Sequence, residues 1–201
     1  DDALRLYVEG LANVEQIAPP DRLFSYNNAA FSIAGLLIET VTGKTYEAAI
    51  KELIFDPLGM KRSFFFSRDL LTFRFAVGHV VIEDTARVQR PWELPRSVNP
   101  AGGITCHVQD LLRYARFYMG DGTLEDGTPL LSQASMQLMQ TPQFPINDHD
   151  GDIGLAWWLK EVGGIKFIEH GGTTSGQNAE LVIAPQKQFA LVMFANGDHG
   201  G

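Results

Sequence analysis

The chain has 201 residues, 45% of them apolar and 20% charged, with a formal net charge of -8. This is an ordinary globular composition with room for one good core, or a small core plus a subdomain. An acidic chain with no Lys/Arg cluster argues against a nucleic-acid surface, no apolar run reaches the length of a membrane span, and a single cysteine, Cys106, excludes an intrachain disulfide.

Residues 2–12 are predicted to form a helix with Leu4, Val8 and Leu11 inward, and Pro19-Pro20-Asp21 then forces an extended, turned approach to Tyr26. Asn27 or Asn28 is the N-cap of the next helix, which Gly43 stops. Its apolar positions Phe31, Ala34, Leu37, Ile38 and Val41 have the spacing of a buried stripe. Thr45 caps a second helix through Ile54, with Tyr46, Ala49, Ile50 and Leu53 inward. Phe64-Phe65-Phe66 is expected in the core, Phe73 to Ile82 as a strand, and Asp84 to Pro100 as a surface loop. Ala101-Gly102-Gly103 lacks the lysine and the preceding strand of a phosphate loop, so a tight backbone crossing is expected there. Thr105 would cap a helix with Val108, Leu111, Leu112, Ala115 and Tyr118 inward and Cys106 as a small core residue; Ser132 would cap a shorter helix ended by Thr141-Pro142.

Asn147-Asp148-His149-Asp150-Gly151-Asp152 has the look of a calcium loop, but its glycine falls one place early and no glutamate closes twelve residues; a solvated acidic turn is expected. From Leu155 the period changes to that of strands: 155–159, 166–170, 179–184 and 189–194, with a hairpin turn at 184–188. The expected class is α+β, with a mainly helical subdomain over 1–150 and an antiparallel meander over 151–201.

Two places carry chemistry. Tyr26 and Asn28 sit at the start of an apolar helix, where packing fixes the terminus and presents a phenol and an amide to a cleft. His170 closes an apolar strand before Gly171-Gly172-Thr173, where glycines let a ligand approach the backbone and the imidazole has a hydrogen bond to offer a carboxylate or oxyanion. A capping asparagine and a capping histidine are the plain alternatives. Together, Tyr-x-Asn and His-Gly-Gly resemble the serine β-lactamase and penicillin-binding-protein superfamily, nearest its class C-like branch of esterases, D-aminopeptidases and carboxypeptidases. Gly43-Lys44-Thr45-Tyr46, Ile54 through Met60, Asn99 through Gly103, Leu130-Leu131-Ser132 and Gly154 through Trp158 extend the resemblance over nearly the whole chain.

The resemblance implies a β-lactamase/transpeptidase-like fold, no cofactor or metal, and a small ester, peptide or β-lactam substrate. It implies that Tyr26 is the general base toward a nucleophilic serine and then the acid toward the leaving group. Asn28 would hydrogen-bond the substrate amide and the active-site lysine. His170, Gly171 and Gly172 would take the place of the Lys-Thr-Gly motif, and the N–H of Thr173 would be an oxyanion donor. The family nucleophile is the serine of Ser-x-x-Lys, yet none of Ser25, Ser32, Ser63, Ser67, Ser97, Ser132, Ser135 or Ser175 has a lysine three residues on. The expectation is a fragment that lacks the nucleophile, with an uncovered sheet prone to self-association. A catalytically inactive binding or scaffold protein is the alternative. The five histidines show no metal-ligand spacing.

Overall fold

The computed structural model describes residues 2–146 and 151–197, so Asn147 to Asp150 of the acidic turn lie outside the described residues. Among the described residues, six α-helices, α1 (Ala3–Gly10), α2 (Asn28–Thr42), α3 (Tyr46–Ile50), α4 (Asn99–Gly102), α5 (Val108–Tyr118) and α6 (Gln133–Met139), accompany ten strands. Two short ladders pair β1 (Ser63–Phe64) with β4 (Thr105–Cys106) and β2 (His79–Ile82) with β3 (Thr85–Val88). The remaining strands, β5 (Phe144–Ile146), β6 (Gly151–Ile153), β7 (Trp158–Val162), β8 (Ile165–Thr174), β9 (Gln177–Ala184) and β10 (Phe189–Ala195), form one antiparallel sheet in chain order. The α+β expectation holds. No helix among the described residues is long and apolar enough to cross a membrane.

The core lies between this sheet and α5 and α6. Ile168 and Ile183 face each other across β8 and β9 with no exposed surface and pack with Leu181, Ala115, Tyr118 and Met136. Each such isoleucine contributes roughly 1.5–3 kcal/mol by leaving water. Strand alternation puts His170 and Gly172 on the face of Ile168, two and four residues further along. The opposite face carries Phe189, Leu191 and Met193, each about half exposed, on the edge strand β10.

Several local expectations need correction. The apolar stripe of α2 faces outward, Val41 being 77% exposed, while Ser32 and Gly35 are the buried residues. A Cβ at Gly35 would lie 2.4 Å from Pro100 Cγ, and Ser32 Oγ donates to Ser97 O at 2.9 Å, so only small residues fit where α4 and the turn before it press on α2. The tight backbone crossing expected at Ala101-Gly102-Gly103 is not where the chains press: a Cβ at Gly102 would make only ordinary contacts with the Thr174 and Leu94 side chains, and Gly103 folds back on Asn99 of its own turn. Helix α3 runs into a π-helical turn over Lys51–Phe55, which widens the period, turns Phe55 in and leaves Leu53 exposed. Thr105 and Cys106 form a strand, and His107 caps α5 by accepting at Nδ1 from Gln109 N–H. Part of the surface loop is strand β3, joined to β2 through Glu83 and Asp84, both at positive φ. The first expected strand begins only at Trp158, because Ala156 takes a left-handed turn. Phe65 packs on Tyr46 and Phe55 as expected, whereas Phe66 carries the Arg68 guanidinium on its face.

Burial gives the fold an alkaline limit. It pushes the Tyr46 and Tyr114 phenols from 10.0 to about 12, with Glu47 adding to the first. Burial, and then Asp110, push the Cys106 thiol from 9.0 to about 12. A raised acid stabilises the folded state fully below its unfolded value and loses that contribution as pH climbs through the folded one. Melting temperature should therefore lose almost nothing from these groups up to about pH 8, begin to fall as pH passes the unfolded thiol's 9.0, and fall steeply toward pH 12. At pH 8, Cys106 should react with Ellman's reagent at least about 10-fold more slowly in the folded chain than in urea. A melting temperature unchanged at pH 11, or equal thiol rates, would contradict this.

Candidate active site

Tyr26 lies two residues before the first residue of α2, Asn28. Asn27 is the N-cap: its backbone is extended and its Oδ1 accepts from Ala29 N–H at 2.8 Å. That decides between the two asparagines and leaves Asn28, exposed on the first turn, with no side-chain hydrogen bond to a described residue. Gly43, at φ 65°, closes the far end of the helix.

The sheet opens where the histidine stands. Strand β7 pairs with β8 from Val162↔Ile165 to Trp158↔Glu169 and stops, while β9 continues from His170↔Leu181 to Thr174↔Gln177. One edge of β8 over residues 170–174 therefore has no strand partner among the described residues, and its outward backbone groups are available to a ligand. A Cβ at Gly172 would meet nothing within 4 Å, so the strand stays approachable there. Tyr26 sits against this opening with its ring centroid 6.3 Å from that of His170.

His170 Nδ1 lies 2.6 Å from Gly171 O. A carbonyl only accepts, so Nδ1 carries the proton and the neutral ring has its lone pair on Nε2. The neutral imidazole thus accepts from a ligand at Nε2, the reverse of the expected donation, which requires the imidazolium. Thr173 Oγ1 donates to Asn178 Oδ1, tying the end of β8 to β9. Burial and then Glu169 hold the Glu180 carboxyl above its ordinary range, with His170 pulling the other way. A cavity of about 140 Å³ is lined by Gly172 and Thr173 of β8 with Asn178, Ala179, Glu180, Met193 and Ala195, and neither Tyr26 nor His170 reaches its lining.

The rim is built by the β2–β3 hairpin. His79 N–H donates to Gly176 O and Asn196 O, and Gln177 bridges Ala76 O and Trp92 Nε1. A Cβ at Gly78 would lie 1.8 Å from Ser175 O, so the two backbones touch. On the other flank, Gly102 of α4 lies under the Thr174 methyl.

The Beta-lactamase family model matches residues 1–201. The chain belongs to the beta-lactamase family. Penicillin-binding protein 4 of Amycolatopsis lactamdurans is 32% identical over 98% of this chain and 53% of its own length. The D-aminopeptidase of Brucella anthropi is 28% identical over 90% of this chain and 33% of its own. The structure of an octameric penicillin-binding protein homologue from Pyrococcus abyssi superposes with a TM-score of 0.82 at 24% identity, over 96% of this chain and 44% of that one. The chain thus spans about half the length of the first of these relatives, and its fold is that of the β-lactamase and penicillin-binding proteins.

Within this beta-lactamase-family opening the structure brings Tyr26 against His170, on the strand that carries Gly171, Gly172 and Thr173, while the Asn28 side chain makes no hydrogen bond to a described residue. It also adds two aromatic residues that sequence reasoning missed. Trp158 stacks on Tyr26 with ring planes 4° apart and centroids at 6.2 Å, and Phe24 meets Trp158 edge-on at 5.7 Å. The Trp157-Trp158 doublet was the available signal, but strand alternation alone does not say which indole reaches the opening.

Proposed function

We propose that these residues are the general-base and substrate-strand part of a serine hydrolase that forms an acyl-enzyme on an ester or amide. The nucleophile, on this reading, comes from sequence beyond these 201 residues, and the family branch is the class C-like one. The observation that carries the reading is the Tyr26–His170 ring contact at the unpaired edge of β8. The hydrolase names among the relatives support it, and so does the absence of any serine with a lysine three residues on.

The chemistry follows from the groups present. Tyr26, starting as the phenolate, takes the proton from the serine hydroxyl as the serine oxygen bonds to the acyl carbon, then returns that proton to the leaving oxygen or nitrogen as its bond to the acyl carbon breaks. The Thr173 N–H donates to the oxyanion, and Asn28 hydrogen-bonds the substrate amide. His170 lacks the fixed charge of a lysine, which favours esters and small peptides over the carboxylate of a β-lactam. The half-exposed Phe189, Leu191 and Met193 on an edge strand support self-association of the isolated chain.

The test is hydrolysis of p-nitrophenyl butyrate and of a penicillin by the 201-residue chain and by the whole protein, with phosphonate labelling of both. Ester turnover and labelling in the whole protein alone, with penicillin the poorer substrate, is the expected result. Labelling of the short chain would move the nucleophile into these residues. No labelling of either would favour a binding protein.

A further inference from the structure

A general base is effective only if its proton-accepting atom is held to within a fraction of an ångström. Tyr26 is not held in any of the usual ways. Its ring is 53% exposed, it precedes the first helical turn, and no described residue hydrogen-bonds its hydroxyl. Its contacts are with two rings, His170 at a 40° tilt and Trp158 in near-parallel stacking.

The geometry points to Trp158 as the positioning residue for Tyr26, an inference that rests on the proposed base role of Tyr26. Trp158 is well suited to the task because its own place is over-determined. It is paired on both sides within the sheet, with Ile153 on β6 and Glu169 on β7's other neighbour, β8. Phe24 braces it edge-on from the same segment that carries Tyr26, so phenyl, indole and phenol form one interlocked set. Offset stacking with an edge-on third ring is a favoured aromatic arrangement. The left-handed turn at Ala156 (φ 64°) precedes the two indoles. Trp157 goes into the core at 4.8 Å from Tyr118, and Trp158 goes to Tyr26. Non-glycine residues rarely adopt that backbone conformation, and strain of this kind gathers at sites that need a defined geometry.

Trp158 itself touches no reacting atom on this reading. It limits the phenol to orientations in which its oxygen faces the unpaired edge of β8, so its loss should reduce turnover and leave substrate affinity nearly unchanged.

The experiment is steady-state ester hydrolysis by the whole enzyme carrying Trp158→Leu, Trp158→Met or Trp158→Phe, beside Tyr26→Phe, with melting curves for each. Trp158→Leu and Trp158→Met keep an apolar side chain but remove the ring face; kcat should fall about 10- to 100-fold with KM within about twofold. Trp158→Phe, which restores a face to stack on, should recover to within about fivefold of the parent. Leu and Met variants with kcat within about threefold of the parent, while Tyr26→Phe is inactive, would overturn the positioning role and leave the base assignment standing. Failure of both variants to fold, or a proportional rise in KM, would make Trp158 structural and overturn it too. An active Tyr26→Phe would remove the base reading itself.

Discussion

On the proposed reading, Tyr26→Phe in the whole protein should lower kcat for ester hydrolysis by roughly 10²–10⁴-fold with little change in KM, the range expected when a positioned acid-base group is deleted. The substitution removes one oxygen and keeps the ring, so the stack on Trp158 and the contact with His170 persist. Because the hydroxyl makes no hydrogen bond to a described residue and the side chain is largely exposed, stability should change by no more than about 0.5 kcal/mol. An unaltered melting curve beside a collapsed kcat would therefore be a chemical effect and not an unfolding one. Turnover within about threefold of the parent would end the assignment.

The largest stability effect is expected at Glu47. Its side chain is 9% exposed and receives both Nε and Nη2 of Arg96, at 3.0 and 2.7 Å, and Nδ2 of the buried Asn99 at 2.7 Å. Removing one partner of a buried, hydrogen-bonded pair costs about 3–5 kcal/mol, since the other charge stays behind in a poor solvent. Burial already lowers the Arg96 pKa from 12.5, which is that same penalty seen from the cation. Glu47→Ala should thus lower the melting temperature by roughly 10 °C. Adding Arg96→Ala should cost less than the sum of the two single changes. A shift under about 2 °C would show that the pair contributes little. The effect reaches the site, because Asn99 begins α4, whose Gly102 lies under Thr174 at the end of β8.

Much of this was legible in the residues. The helix caps at Thr45 and Ser132, the stop at Gly43 and the strands around His170 and Ile183 follow from local chemistry, and local chemistry is what a sequence states most plainly. The inward face of α2 was not legible. Periodicity marks an apolar stripe, but a helix also buries a face of Ser32 and Gly35 when another backbone comes close enough to need small residues. The β2–β3 hairpin escaped because its turn is Glu83-Asp84 and has no glycine to announce positive φ. At the candidate site, Tyr26 and His170 were found through the residues around them. Trp158 was missed because its partner is set by where β7 stops pairing, and a pairing limit is a property of the assembled sheet.

That pairing limit is measured out from a distance. The β7–β8 hairpin closes on Val162↔Ile165 through Gly163 and Gly164, both at positive φ, the two-residue turn that suits twisted strands. From that turn the ladder counts back residue by residue until Trp158 meets Glu169, with His170 the first residue past the end. The two glycines are a ruler. Their identity can drift to other residues that tolerate such backbone angles, but an added residue that slipped the register by one would exchange the roles of Trp157 and Trp158 against β8, while His170 stays where its pairing with Leu181 of β9 holds it. The candidate site thus depends on the length of an exposed turn several residues away along the ladder.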